Sequence, residues 1–181
     1  PSQELLAGIA EGKHDVVFCA CDDVEGEDLE FIPVVEQQLV VAMNAYCSLA
    51  SAPFLTIEDL RDKQLITYRG EMPIGKAVKR LLEGHGIENV RYAYEDESIL
   101  SGFAAEGPEI ALLLNTFLPL STKDLVVKPL YDSVEDKRRY FHTVYLGFSE
   151  KHYRPYCVDH FIDYVRDHQL DRSSCDIIYI D

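Results

Sequence analysis

Residues 39–70 read LVVAMNAYCSLASAPFLTIEDLRDKQLITYRG, and the rest of the chain is organised around them. The apolar run 39–43 predicts a strand that is covered on both faces. The small and polar residues 48–53 predict a turn or linker. Thr56 is a favourable N-cap with two acids in the turn that follows, so a helix is predicted to start there. A second apolar strand starts at Gln64. We therefore predict that this stretch carries the chain from one α/β lobe into another.

This stretch resembles the effector-binding domain of LysR-type transcriptional regulators. That family has a His-Pro-Leu-Ala-like turn, where residues 47–50 here read CSLA, and a Leu-Thr-x-x-Asp-Leu helix start, where residues 55–60 read LTIEDL. Two flanking pieces are also similar. Residues 5–18 resemble a helix-to-strand step of the family, with Gly12 and Asp15. Residues 103–114 resemble its aaGxGiallP step, with Gly107. The motifs keep the family's order and spacing over residues 3 to about 168.

The chain departs from the family pattern at three places. Cys47 and Ser48 replace His-Pro, Glu109 replaces the second Gly, and Asn115 stands where Pro is usual. The family also has a strand, a helix and a second strand before the helix that opens this chain. The resemblance therefore implies a type 2 periplasmic-binding-protein fold whose lobe I is incomplete at its N-terminal side.

Outward from this stretch, helical and strand periodicities alternate, which predicts an α/β fold. The final helix is predicted to bury the stripe Cys157, Phe161, Tyr164 and Val165. Helices are predicted at residues 2–11, 74–83, from Asp96 or Ser98 to 106, and from about 155. Strands are predicted at residues 16–21, 31–35 (with Pro33 at an edge or bulge), 90–94, 110–114, 125–130, 141–148 and 177–180.

The chain is predicted to leave lobe I near Cys47 and to return near Gly147. Lobe I then comprises residues 1–47 and 147–181, and lobe II comprises residues 48–146. A cleft between two lobes joined by two crossing segments is the expected binding site. The tail 177–180 is rich in β-branched and aromatic residues, and we expect it or a partner chain to pair with the lobe I sheet beside 16–18 and 39–43.

The net charge of −15, from 32 acidic and 17 basic residues, repels phosphate backbones. DNA binding by this chain itself is therefore not expected. Hydrophobic residues make up 47% of the sequence, which indicates a globular protein. The five cysteines form no CxxC pair and fit a reducing cytoplasm. No apolar run is long enough for a membrane helix.

Catalytic and metal-binding motifs are not evident. The six histidines are scattered without an HExxH pair, and the glycines stand singly rather than in a phosphate-binding loop. The six acids in residues 22–30 lack calcium-loop spacing, so a solvated loop is favoured over a cation site. We predict that the chain is not an enzyme and that it uses no cofactor or metal.

Binding residues are expected where strands end, because ligands of open α/β lobes lie beyond the carboxyl ends of strands. Arg69 could hold a carboxylate through its planar fork, although a surface ion pair is an equally weighted interpretation. Ser98 could present helix N-terminal donors or serve as a plain N-cap. A thiol switch at the cysteines is a further alternative to inert packing. The candidate effector-binding residues are Cys21, Asp22, Tyr46, Cys47, Tyr68, Arg69, Ser98, Asn115 and Thr116.

The sequence thus predicts the cytoplasmic, ligand-sensing domain of a bacterial LysR-type regulator that binds a small anionic effector. Its DNA-binding helix-turn-helix would lie before residue 1, and a homodimer is expected. The alternative is a solute-binding protein of a transport system, because the fold alone does not choose between them.

Overall fold

The computed structural model describes residues 2–20, 28–116, 124–170 and 176–180. Strands and helices alternate in it, which confirms the predicted α/β class. A 3₁₀ turn at Glu58–Leu60 follows the third strand. In chain order the other elements are α1 (Ser2–Ala10), β1 (Val16–Ala20), β2 (Leu29–Asn44), β3 (Leu55–Thr56), β4 (Leu65–Tyr68), α2 (Pro73–Gly84), β5 (Val90–Tyr94), α3 (Glu97–Glu106), β6 (Ile110–Leu114), β7 (Leu125–Tyr131), β8 (Arg139–Ser149), α4 (Tyr156–Asp167) and β9 (Ile177–Tyr179).

The chain divides into two compact units. Unit 1 comprises residues 1–36, 143–174 and 181, and unit 2 comprises residues 37–142 and 175–180. Their boundaries differ from those of the predicted lobes. Residues 39–43 belong to unit 2 because they pair there with β6 and β7. The assignment of the predicted lobes stays a prediction.

Unit 2 is built on the strand order β2, β6, β4, β5. Every residue of β4 and β6 is buried, as are residues 39–43 of β2, in agreement with the apolar runs that predicted covered strands. Helix α2 adds Val78 and Leu82 to this core, and α3 adds Leu100 and Ala104. The strands β6, β4 and β5 are mutually parallel, whereas β2 runs antiparallel to β6.

Unit 1 contains β1, the second half of β8 and the first half of β2. Helix α1 packs Leu6 and Ile9 against Val17 and Cys19 of β1. Helix α4 packs Ile162 in a separate cluster that includes Val16. Because successive residues of a strand point to opposite faces, α1 and α4 cover opposite faces of this part of the sheet.

Two predicted strands, 31–35 and 39–43, are one strand of sixteen residues, Leu29–Asn44. The residues between them, Glu36, Gln37 and Gln38, contain no turn former, so the backbone stays extended. Pro33 lies in the unit 1 part of β2 and accepts a hydrogen bond through its carbonyl from the Leu170 N–H, over 3.4 Å.

The helix predicted to start at Thr56 is only the short 3₁₀ turn, and Thr56 does not cap it. Thr56 belongs to β3, which pairs with β7. An N-cap threonine would accept a hydrogen bond through its side chain, but Thr56 donates instead. The Asp59 Oδ2 atom accepts hydrogen bonds from the Thr56 backbone N–H and hydroxyl, each over 2.8 Å.

The predicted buried stripe of the last helix is right for Val165 and wrong for Cys157, Phe161 and Tyr164, which are exposed. The residues of α4 that meet the sheet are Val158, Ile162 and Val165, because the helix is rotated away from Cys157, Phe161 and Tyr164. The tail forms β9 as expected, but it pairs in parallel with residues 139–141 of β8 in unit 2, not beside β1 or the buried part of β2.

Candidate functional site

Because β4 and β6 are parallel, their carboxyl ends lie at the same end of the unit 2 strands. Leu65 pairs with Ile110 at the start of both strands, so Tyr68 and Leu114 end together. Strand β5 runs parallel to β4, and the turn after it leads into α3 at the same edge. We call this edge the β4–β6 end; it comprises Tyr68, Arg69, residues 95–98, Asn115 and Thr116.

Tyr68 fixes the geometry of the β4–β6 end. Its buried hydroxyl donates to the Glu97 Oε1 atom over 2.7 Å and accepts from the Leu114 backbone N–H, also over 2.7 Å. Burial, followed by the repulsion of the Glu97 carboxylate, raises the pKa of Tyr68 far above its ordinary range. The phenol therefore stays neutral and holds the start of α3 to two strands.

Arg69 is half exposed and already has carboxylate partners. Its Nη1 atom contacts the Glu95 Oε1 atom, and its Nε atom lies 3.6 Å from the Glu71 Oε2 atom. Its backbone N–H donates to the Tyr94 carbonyl over 2.8 Å, which ties the loop after β4 to the end of β5. Arg69 therefore forms the surface ion pair that was one of its two predicted roles. An anionic ligand would have to displace the Glu95 carboxylate from Arg69.

Gly75 sets the position of the Arg69 loop. A Cβ atom at residue 75 would lie 1.8 Å from the Arg69 carbonyl oxygen, which no side chain tolerates. The first turn of α2 therefore packs directly on the backbone of residue 69. This close approach aligns the amino end of α2 with the β4–β6 end.

Helix α3 is capped by Asp96, not by Ser98. The Asp96 Oδ1 atom accepts hydrogen bonds from the N–H groups of Ser98 (2.7 Å) and Ile99 (3.3 Å). Hydrogen bonds from Ser98 lower the pKa of Asp96 below its ordinary value. The N-terminal donors of α3 are thus occupied by its own cap, while the Ser98 side chain is exposed.

Asn115 and Thr116 follow β6 at the same edge. The Asn115 backbone N–H donates to the Gln38 carbonyl over 2.7 Å, which extends the pairing of β2 and β6. The Thr116 hydroxyl oxygen is buried and has no hydrogen-bond partner among the described residues. A buried hydroxyl without a partner costs free energy.

The structure brings Tyr68, Arg69, Ser98, Asn115 and Thr116 together and separates Tyr46 and Cys47 from them. Because β2 runs antiparallel to β6, its carboxyl end lies at the opposite edge of unit 2, roughly 15 Å away along β6. There Tyr46 and Cys47 line an open cavity of about 290 Å³ together with Met43, Asn44 and residues 107–109. Cys21 and Asp22 lie outside the described residues.

Sequence reasoning missed the acids of the β4–β6 end. Glu71 and Glu95 contact the Arg69 guanidinium. Asp96 caps α3, and Glu97 is the partner of the buried Tyr68. The sequence signal for these acids is the run Glu95-Asp96-Glu97, which directly follows the predicted strand 90–94. Donors for an effector remain at Arg69, Ser98, Asn115 and Thr116, but a nucleophile with an adjacent base is not among these residues.

Among the described residues, no group of three or more His, Cys, Asp or Glu side chains could hold a metal ion. In the same part of the chain, no helix has the length and apolar character needed to cross a membrane. A second open cavity, of about 440 Å³, lies between the end of α2 and Tyr92, away from the β4–β6 end.

The model of the LysR substrate binding domain matches residues 1–170 of this chain. The chain therefore belongs to the LysR substrate-binding-domain family, whose fold is of the type 2 periplasmic-binding-protein kind. No curated protein sequence is significantly similar to it.

Solved structures of LysR regulators share the fold at low sequence identity. The effector-binding domain of QuiR in complex with shikimate is 19% identical, with a TM-score of 0.78 over 93% of this chain and 80% of that chain. The full regulator HinK from Pseudomonas aeruginosa is 18% identical, with a TM-score of 0.73 over 92% of this chain and 57% of that chain. The Synechocystis CcmR regulatory domain with 2-PG is 17% identical, with a TM-score of 0.73 over 94% and 81%. The chain thus spans a little over half of a full-length regulator.

Proposed function

We propose that the chain is the ligand-sensing domain of a bacterial LysR-type transcriptional regulator and that its effector is a small organic anion. The family match over residues 1–170 carries this proposal. The effector-binding domains of QuiR and BenM are solved with shikimate and benzoate, both of which are carboxylates. Because the solved full-length structures that resemble this chain are transcriptional regulators, a regulatory function is favoured over transport and over catalysis.

The effector contacts are proposed at the β4–β6 end of unit 2. Arg69 would release Glu95 and bind the effector carboxylate in its place, because the planar guanidinium can donate two hydrogen bonds to either carboxylate. The hydroxyls of Ser98 and Thr116 and the amide of Asn115 would bind the polar groups of the effector. Cys21 and Asp22 remain proposed contacts from the other lobe.

The regulatory step is proposed to be linkage. An effector that binds one arrangement of the lobes more tightly shifts the population towards it, by no more than the difference in its binding free energies. The shift would alter the geometry of an oligomeric regulator on DNA. DNA contact would belong to a helix-turn-helix outside these 181 residues, since the net charge of −15 repels phosphate. We propose that the domain is cytoplasmic and that it forms a homodimer.

A thermal-shift screen with small carboxylates, including shikimate and benzoate, tests this function. A ligand that binds only the folded state raises the melting temperature, by an amount that grows with its concentration over Kd. Arg69→Ala is expected to abolish the shift without unfolding the chain. The matched control is Arg61→Ala, which removes an exposed Arg that pairs with Glu58 away from this edge. A carboxylate shift that is equal in both variants would remove Arg69 from the site, and no shift with any carboxylate would overturn the anionic effector.

A further inference from the structure

The turn between β4 and α2 presents two opposite charges next to each other. The Met72 N–H donates to the Arg69 carbonyl over 3.1 Å, which closes residues 69–72 as a four-residue turn. The side chains of Arg69 and Glu71 are 50% and 82% exposed, and the Arg69 Nε atom lies 3.6 Å from the Glu71 Oε2 atom. The turn therefore exposes a cation and an anion side by side.

The backbone of this turn is held from two sides. The Arg69 N–H donates to the Tyr94 carbonyl at the end of β5 over 2.8 Å. On the other side, Gly75 of α2 approaches the Arg69 carbonyl so closely that a Cβ atom would lie 1.8 Å from its oxygen. With the backbone fixed, the separation of the two charged side chains changes only through their rotamers. A preorganised pair of this kind favours a ligand that carries both charges.

The other acids of this region are engaged by stronger contacts. Glu97 accepts from the buried hydroxyl at the end of β4 over 2.7 Å, and Asp96 caps α3. Glu95 forms a hydrogen-bonded ion pair with the Nη1 atom of Arg69. The contact of Glu71 with Arg69 is the longest of these and exceeds hydrogen-bond range. Glu71 is therefore the carboxylate that is most available to a further donor.

The formal charge of this region disfavours a ligand that is only negative. Residues 69–72 and 95–98 contain one basic and four acidic side chains, which gives a net charge of −3. An effector carboxylate on Arg69 adds one more negative charge. Two unit charges about 4 Å apart in water interact by an energy that corresponds to about fivefold in Kd. A positive group on the same ligand replaces this repulsion by an attraction of similar size.

We infer that the effector is an aminocarboxylate, whose carboxylate binds Arg69 while its ammonium group binds Glu71. This inference rests on the proposed function and names the chemical class of the effector. In an α-amino acid the two charged groups are bonded to the same carbon atom, so they match two side chains whose charged atoms lie 3.6 Å apart. The ammonium group also replaces the part of the Arg69 charge that Glu71 loses when the effector carboxylate arrives.

Matched pairs of ligands test this class. Each pair consists of an amino acid and the carboxylic acid that lacks only its amino group, such as phenylalanine with 3-phenylpropionate or glutamate with glutarate. A thermal-shift screen over the twenty standard L-amino acids and their partners selects the pair with the largest shift, and isothermal titration then measures both affinities. The amino acid of that pair should bind the parent chain at least about fivefold more tightly than its partner.

Substitutions of Glu71 test the residue. Glu71→Gln removes the charge and keeps the size of the side chain, so it should weaken binding of the amino acid about fivefold without weakening binding of its partner. Glu71→Lys should reverse the order of the two affinities. Because Glu71 is 82% exposed, both variants should fold, which thermal melts check. The control is Glu58→Gln, which removes an exposed carboxylate that pairs with Arg61 and should change neither affinity.

The outcomes separate the class of effector from the proposed function. Equal affinity of both members of the pair for the parent chain overturns the aminocarboxylate and leaves the anionic effector in place. A preference for the amino acid that Glu71→Gln leaves as unchanged as Glu58→Gln does overturns the contact with Glu71. Absence of binding by every amino acid and every partner overturns the anionic effector itself, and this inference with it.

Discussion

The Tyr68 hydroxyl donates a hydrogen bond to the Glu97 carboxylate across 29 residues of sequence, with 2.7 Å between the two oxygens. The same hydroxyl accepts from the Leu114 N–H, so one buried side chain joins β4, β6 and α3. The four donors proposed at the β4–β6 end, Arg69, Ser98, Asn115 and Thr116, each follow Tyr68, Glu97 or Leu114 by one or two residues. The stability of this joint therefore controls the geometry of the β4–β6 end.

Tyr68→Phe should lower the free energy of unfolding by about 1–3 kcal/mol, because it leaves the buried Leu114 N–H and the Glu97 carboxylate without their partner. Urea denaturation at constant m-value measures this loss. Tyr94→Phe, at the end of the neighbouring strand, is the control and should change stability little. Equal stability of the two variants would show that water replaces the Tyr68 hydroxyl without cost.

Gly75→Ala should destabilise the chain by about 1–3 kcal/mol, since its Cβ must displace the Arg69 carbonyl or the first turn of α2. It should also weaken effector binding by moving Arg69. Gly84→Ala is the matched control in the same helix, where an added Cβ meets nothing within 4 Å. That change should stabilise by up to about 1 kcal/mol. Thermal melts of both variants separate the steric clash at residue 75 from the general effect of alanine on helix propensity. Equal stability of Gly75→Ala and Gly84→Ala would contradict the close approach of α2 to the Arg69 backbone.

Asp96 should make stability depend on acidic pH. Its pKa is lower in the folded chain than its ordinary value of 3.8, owing to hydrogen bonds from Ser98. The unfolded state therefore binds the proton more tightly, and the contribution of Asp96 is complete above that ordinary value and is lost as the pH falls through the folded pKa.

The comparison that tests this is the parent chain against Asp96→Asn, which keeps a capping side chain but cannot ionise. The melting temperature of the parent should exceed that of the variant at pH 6, and the difference should shrink below about pH 4. A difference that stays constant from pH 6 to pH 3 would assign the effect to something other than the Asp96 charge.

Glu95→Gln should strengthen binding of an anionic effector, because it releases Arg69 from its ion pair. Exposed pairs contribute about 0.2–1 kcal/mol, so Kd should fall by a factor of about 1.5 to 5. Isothermal titration with the carboxylate found by the screen measures the change. Glu58→Gln, which releases Arg61 instead, should have no effect. Weaker binding in Glu95→Gln would mean that Glu95 itself contacts the effector.

Local sequence patterns determined much of the fold. The apolar runs 39–43, 65–68 and 110–114 are buried on both faces, and the amphipathic stripe of Ile74, Val78 and Leu82 is buried in α2. Burial of these runs follows from their composition. A strand whose residues are apolar on both faces is stable only when both faces are covered. The family motifs are also local stretches of sequence, so they too are recognisable without the tertiary structure.

The tertiary structure alone decided which strand ends meet. Strand direction is set by the pairing of distant segments, so a sequence does not reveal that β2 runs antiparallel to β6 and separates Tyr46 and Cys47 from Arg69. The rotation of α4 is likewise a packing outcome. Its apolar arc is wider than one sheet contact, and only the fit against Phe148 and Leu146 selects Val158, Ile162 and Val165 as the buried seam. Pairing and packing act between residues far apart in the chain, and local periodicity contains no information about which of those residues become neighbours.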